Sequence, residues 1–148
     1  MRMLILSSAA LALSSGLARA EYTLTILHTN DFHDRFEQIS AFDGPCSAED
    51  AGEGKCFGGS ARLVTALAEA RARSDNTILV DGGDQFQGTL FYTYYKGKMT
   101  AEFMSKLGYD AMTVGNHEFD DGPEVLRGFI DAVGFPVLMS NADVSGEP

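Results

Sequence analysis

The chain has 148 residues, the length of one domain, and its 11 Lys and Arg stand against 21 Asp and Glu for a net charge of −10. Apolar residues make up 45% and charged residues 22%, a composition that excludes intrinsic disorder, and no collagen-like, coiled-coil or repeat pattern is present. The acidic balance excludes a nucleic-acid polymer as main partner, because such binders need a basic footprint. A small phosphate ester stays open, since a bound metal ion neutralises its charge.

Residues 1–20, MRMLILSSAALALSSGLARA, have the layout of a secretory signal peptide. Arg2 is the basic start, Met3 to Leu17 an apolar run diluted by serines, and Ala18-Arg19-Ala20 a small-x-small cleavage site. A membrane span takes about 20 apolar residues, more than this run offers. Cleavage after Ala20 removes Arg2 and Arg19, takes the net charge from −10 to −12, and leaves no second apolar stretch long enough to span a bilayer. The expected location is the periplasm or the exterior. Cys46 and Cys56 agree with it: an even cysteine count in a secreted chain suggests a disulfide. A metal-binding cysteine pair is the less favoured reading, because the spacing is wider than C-x-x-C and there is no third cysteine.

Four short, nearly continuous apolar runs read as strands buried on both faces: Tyr22 to Leu27, Thr77 to Val80, Ala111 to Val114 and Pro136 to Met139. Between the first two, Ser40 to Gly59 reads as a solvated loop pinned by the cysteines. Its acids Glu49, Asp50 and Glu53 are best taken as solvated surface. Ser60 to Arg73 follows as a helix with Leu63, Val64, Leu67 and Ala70 on one face. Met99 to Leu107 is a second helix with Gly108 at its C-terminal cap, and Pro123 opens a third after Asp121, which reads as its cap. The order β-α-β-α-β-α-β predicts an α/β fold, a mainly parallel sheet with right-handed crossovers and helices on its faces.

Ligands of parallel sheets bind beyond the carboxyl ends of the strands. There the sequence places His28-Thr29-Asn30-Asp31-Phe32-His33, then Asp81-Gly82-Gly83-Asp84, then Gly115-Asn116-His117-Glu118-Phe119-Asp120. Three successive strands thus deliver carboxylate, amide or imidazole groups to one edge. Asp31 and His33, two apart in an extended segment, point the same way and can meet one cation. Asp84 follows two glycines that permit a sharp turn, and its two oxygens can bridge two ions. Asn116 adds a neutral oxygen. This donor set, without thiolate, suits two divalent ions such as Zn, Mn, Fe or Co. Paired metals about 3.5–4 Å apart are a recurrent means of hydrolysing phosphate esters with metal-activated water. His117, oriented by Asp120, can stabilise phosphoryl charge or protonate the leaving group. His28 reads as a packed, hydrogen-bonded residue, Asp81 as structural support, Glu118 as solvent-facing and Phe119 as packing. The G-x-x-x-x-G-K-[ST] phosphate loop is absent.

Ile26 to His33, Gly83-Asp84-Gln85-Phe86-Gln87-Gly88 and Gly115 to Asp120 together resemble the three opening motifs of the 5′-nucleotidase family of calcineurin-like metallophosphoesterases. That family includes bacterial periplasmic UDP-sugar hydrolases and animal ecto-5′-nucleotidases. Gly58-Gly59-Ser60-Ala61-Arg62-Leu63, Tyr95-Lys96-Gly97 and the Cys46/Cys56 loop are similar to it too, so the resemblance spans residues 22–143. It implies that Asp31 and His33 bind a first metal, that Asp84 bridges, and that Asn116 binds a second metal and approaches the substrate phosphate. His117, also near the phosphate, forms a catalytic pair with Asp120. Family members draw further metal-binding histidines from later motifs and grip the nucleoside with a separate C-terminal domain. This chain has three histidines, His28, His33 and His117. Residues 21–148 are therefore expected to be the N-terminal portion of a metallophosphoesterase domain. The expected activity is hydrolysis of nucleoside 5′-phosphates or related nucleotide esters, in nucleotide catabolism. The alternative is a non-catalytic periplasmic module that binds nucleotide or metal. A change of substrate within the fold, to a sulfur ester or cyclic nucleotide, is a third reading.

Overall fold

A computed structural model describes residues 21–143, 145 and 146; the expected signal peptide lies outside the described residues. In chain order the elements are β1 (Thr25–Thr29), α1 (Ala48–Gly52), α2 (Ser60–Ala72), β2 (Thr77–Asp81), α3 (Leu90–Tyr95), α4 (Lys98–Leu107), β3 (Ala111–Thr113), a 3-10 turn (His117–Phe119), α5 (Pro123–Ala132) and β4 (Val137–Leu138). All strands are parallel, in the order β1-β2-β3-β4. The predicted α/β class and parallel sheet are observed.

The sheet departs from expectation in its two faces. The helices α2 to α5 all contribute to one core cluster on one side of the sheet, as right-handed crossovers between strands that step in one direction lead one to expect. On that side Leu79 and Met112 are buried, with Leu27 and Val137 beside them. On the other side Ile26 is 60% exposed and Leu138 55%, and His28 and Thr113 are exposed as well. The strands are therefore not buried on both faces, and His28 is not the packed residue its apolar neighbours suggested. β1 also begins later than predicted, with Tyr22 and Leu24 exposed before it.

The core gathers residues at helical spacing from each crossover. Leu67 of α2, Ala101 and Met104 of α4, and Leu126 and Phe129 of α5 pack on Leu79 and Met112. Phe86 sits edge-on to Phe129 with ring centroids 5.2 Å apart, and lies 4.9 Å from Tyr92 of α3. Val64, assigned to the α2 stripe, is 45% exposed. α4 ends as predicted: Gly108 adopts φ 70°, and its N–H donates to the Met104 and Ser105 carbonyls.

Three other local expectations are corrected. The helix α3 lies where no helix was predicted, started by the Thr89 side chain accepting from the Phe91 N–H. The loop Ser40 to Gly59 contains α1, capped by Ser47, where none was predicted; the Cys46–Cys56 disulfide in it, with Cα atoms 5.9 Å apart, is as expected. The residue capping α5 is Gly122, without a side-chain bond. Asp121 instead accepts from Lys96 Nζ at 2.7 Å, joining the end of α3 to the turn before α5.

Candidate active site

The loops after β1 and β2 continue the strand ladder beyond the sheet. Asp31 N–H donates to the Gly83 carbonyl at 2.9 Å, His33 N–H to Asp84 at 3.2 Å, and Asp34 N–H to Gln85 at 3.0 Å. The first loop is not extended as predicted: Asp31, His33 and Asp34 adopt φ of 53°, 51° and 49°. Asp84 does the same at 56°. Left-handed backbone at non-glycine residues costs on the order of 1–3 kcal/mol each and persists where surrounding bonds over-determine it. Here the inter-loop bonds do so, and the result still directs Asp31 and His33 to one place, with His33 Nε2 3.8 Å from Asp31 Oδ1.

The third loop crosses the second at very close range. A Cβ on Gly83 would lie 2.8 Å from Gly115 Cα, and one on Gly115 would lie 2.7 Å from the Asp84 nitrogen. Only hydrogen fits at that crossing. It brings His33, Asp84 and His117 together: one donor atom from each lies within 4.8 Å of the others. The His33 and His117 rings sit 5.0 Å apart, edge to face. Asp31 stands at the rim, with 56% of its side chain exposed, and Asn116 is exposed one residue before His117. The tightest donor group thus includes His117, which the sequence placed in catalysis rather than metal binding.

His33 and His117 are each held by one ring nitrogen. His33 Nδ1 is 2.9 Å from the Phe86 carbonyl, an acceptor only, so Nδ1 donates there and Nε2 is the nitrogen turned toward Asp31. His117 Nδ1 is 2.7 Å from Asp120 Oδ2, and this hydrogen bond holds the imidazole pKa above its ordinary value. Asp84 Oδ1 accepts the His117 N–H at 3.0 Å.

Beneath these donors lies a buried polar layer. Asp81, 3% exposed, accepts from Thr29, Gln85 and the Gly83 N–H, in agreement with its structural reading. Burial pushes its carboxyl pKa up. Burial likewise raises Asp34 to about 6, opposed by its Thr100 hydrogen bond. Glu118, read as solvent-facing, is fully buried: it accepts from the N–H groups of Asp84, Gln85, Phe86 and Gly115. Phe119, read as packing, is 44% exposed instead. The 3-10 geometry of His117–Phe119 explains the exchange, because it turns the middle residue inward. The signal for Glu118 was present in the glycines: two backbones in contact leave N–H groups with no ladder partner, and these need an acceptor.

Among the described residues, Asp34, Asp81 and Glu118 pair with no Lys or Arg. Three unpaired carboxylates below a nitrogen and oxygen donor group favour a cation above them. The donors fit a hard-to-borderline divalent ion.

Residues 24–147 match the family model for calcineurin-like phosphoesterases, and the chain belongs to that family. Within the family its likeness is to 5′-nucleotidases. It is 47% identical over 129 residues to the snake venom 5′-nucleotidase of Naja atra, covering 84% of this chain and 23% of that protein. It is 44% identical over 128 residues to the apyrase of Tabanus yao, covering 86% of this chain and 22% of the apyrase. Among solved structures, the 5′-nucleotidase precursor from Thermus thermophilus matches with TM-score 0.73 and 40% identity, over 86% of this chain and 24% of that one. The chain spans under a quarter of the length of these relatives.

Proposed function

We propose that this chain is the N-terminal portion of a metallophosphoesterase domain that hydrolyses nucleoside 5′-phosphates or related nucleotide esters in nucleotide catabolism. The observation that carries the reading is the meeting of His33, Asp84 and His117 donor atoms within 4.8 Å at the carboxyl edge of a parallel sheet. The names of the relatives, 5′-nucleotidase and apyrase, support a nucleotide as substrate. The N-terminal pattern supports cleavage after Ala20 and a periplasmic or secreted location, and no helix among the described residues is long and apolar enough to cross a membrane.

In this reading Asp31, His33, Asp84 and Asn116 would hold two divalent ions, with Asp84 serving both. When bound, such ions polarise a phosphoryl oxygen and acidify a water molecule. His33 presents Nε2 because the Phe86 carbonyl holds its other nitrogen. Asn116 and His117 face the substrate phosphate. Asp120 keeps the His117 proton on Nδ1 and stabilises the imidazolium, whose Nε2–H then serves phosphoryl charge or the leaving oxygen. Asp120 is a positioning residue; His117 performs the proton chemistry.

The test is hydrolysis of AMP and a chromogenic phosphate ester, read as phosphate release, and of UDP-glucose, read as formation of UMP and glucose 1-phosphate, by the protein containing this chain, with and without chelator. Chelator-sensitive turnover is expected, and turnover indifferent to chelator overturns the reading. Calorimetry with Mn²⁺ or Zn²⁺ accompanies it. Ion binding with no turnover on any ester returns the alternative, a binding module.

A further inference from the structure

From the crossing of the second and third loops we infer that Glu118 is the residue that sets the spacing of the metal donors. Its carboxylate joins the segment carrying Asp84 to the segment carrying Asn116 and His117. This inference rests on the metal-dependent reading above.

The geometry is specific. Oε2 accepts from Asp84 N–H at 2.9 Å and from Gly115 N–H at 2.6 Å, one from each loop. Oε1 accepts from Gln85 N–H at 2.7 Å and Phe86 N–H at 3.2 Å, both in the second loop. These four N–H groups belong to loops, outside any helix or strand ladder. A carboxylate is the only side chain with two acceptor-only oxygens able to take all of them. The same clamp reaches the donors on every side. Asp84 bears one amide it holds. The Phe86 carbonyl, next to another, anchors His33 Nδ1. Asp84 Oδ1 in turn accepts the His117 N–H. Glu118 contacts none of the space a substrate would occupy, being fully buried. It is a positioning residue that preforms the site before any ion arrives.

The substitution Glu118→Gln separates this role from simple packing. The amide keeps the volume, accepts at one oxygen, and turns its NH₂ group toward N–H groups that need an acceptor. Co²⁺ is the probe, followed by its visible absorption on the protein containing this chain, with far-ultraviolet circular dichroism to confirm the fold. The expected result is a loss of about 10–100-fold in Co²⁺ affinity, the range for groups that orient metal ligands. An altered band shape in the variant is expected with it. Equal affinity and an unchanged spectrum in a folded variant overturn the inference. Failure of the wild-type protein to bind Co²⁺ overturns the metal reading instead. Should the variant not fold, amide hydrogen exchange of metal-free wild type decides the point. Protection at Asp84, Gln85, Phe86 and Gly115 supports the clamp, and free exchange at these amides overturns it.

Discussion

The His117 backbone N–H donates to Asp84 Oδ1 at 3.0 Å, so the residue proposed to bridge two ions also fixes the loop that carries the proton donor. One oxygen of Asp84 is thereby engaged with the backbone. The couple makes the two residues separable by substitution. Asp84→Asn replaces a charged oxygen by an amide and is expected to abolish Mn²⁺ or Zn²⁺ binding, as read by calorimetry, together with nearly all turnover. His117→Ala keeps the backbone N–H. It is expected to retain ion binding and to slow turnover by about 10²–10⁴-fold, the usual contribution of general acid–base catalysis. Loss of ion binding in His117→Ala would move His117 into the ligand set, as its place in the donor group allows.

The loop crossing predicts an intolerant glycine. Gly83 has φ 93°, and an added Cβ would lie 2.8 Å from the Val114 carbonyl carbon and Gly115 Cα. Gly83→Ala is expected to force the second and third loops apart, costing on the order of 1–3 kcal/mol through overpacking and weakening ion binding. Chemical denaturation and calorimetry read the two effects. A variant unchanged in both would show that the crossing yields freely.

The chain positions of the donor-bearing edge are legible in the sequence, because strand ends in a parallel sheet converge and the residues after Leu27, Val80 and Val114 are chemically distinctive. What is not legible is how the loops bend. Periodicity implies an extended Asp31 to His33, whereas the backbone is left-handed there, held by bonds to a segment some fifty residues away in sequence. The same is true of Glu118, whose inward turn depends on N–H groups contributed by Asp84 to Phe86. Helix α3 leaves little trace because Leu90–Tyr95 is aromatic-rich and short, with no amphipathic period. The open sheet face is set by strand order, which hydropathy does not encode.

The Cys46–Cys56 disulfide closes a loop with a sequence separation of 10. By chain entropy such a ring contributes about 2–3 kcal/mol. Cys46→Ser with Cys56→Ser is expected to lower the urea midpoint accordingly while leaving ion affinity unchanged, because the loop carries none of the donors. A loss of ion binding in this double variant would tie the loop to the site.

The buried Asp81 makes stability depend on pH. Burial raises its pKa above the ordinary carboxylate value of 3.8, against the lowering effect of its hydrogen bonds. The folded chain thus holds this proton more tightly than the unfolded chain. The stabilising contribution is complete below the ordinary pKa and is lost as pH rises through the raised one. In chelator, wild type is therefore expected to lose ground to Asp81→Asn as pH increases from about 4 toward neutrality. Urea midpoints of the two proteins at several pH values measure it. A gap that stays constant across that range would refute the assignment.

The pairing of β2 with β3 rests on two aligned positions, Val80 with Ala111 and Asp81 with Met112. A slip by a single residue would invert which side chains face the helices and carry Gly115 away from Gly83. Tolerance to inserted sequence should therefore be sharply uneven along this molecule. Lengthening the cysteine loop leaves the alignment alone, whereas one extra residue inside β3 would scatter the donor atoms without removing any of them.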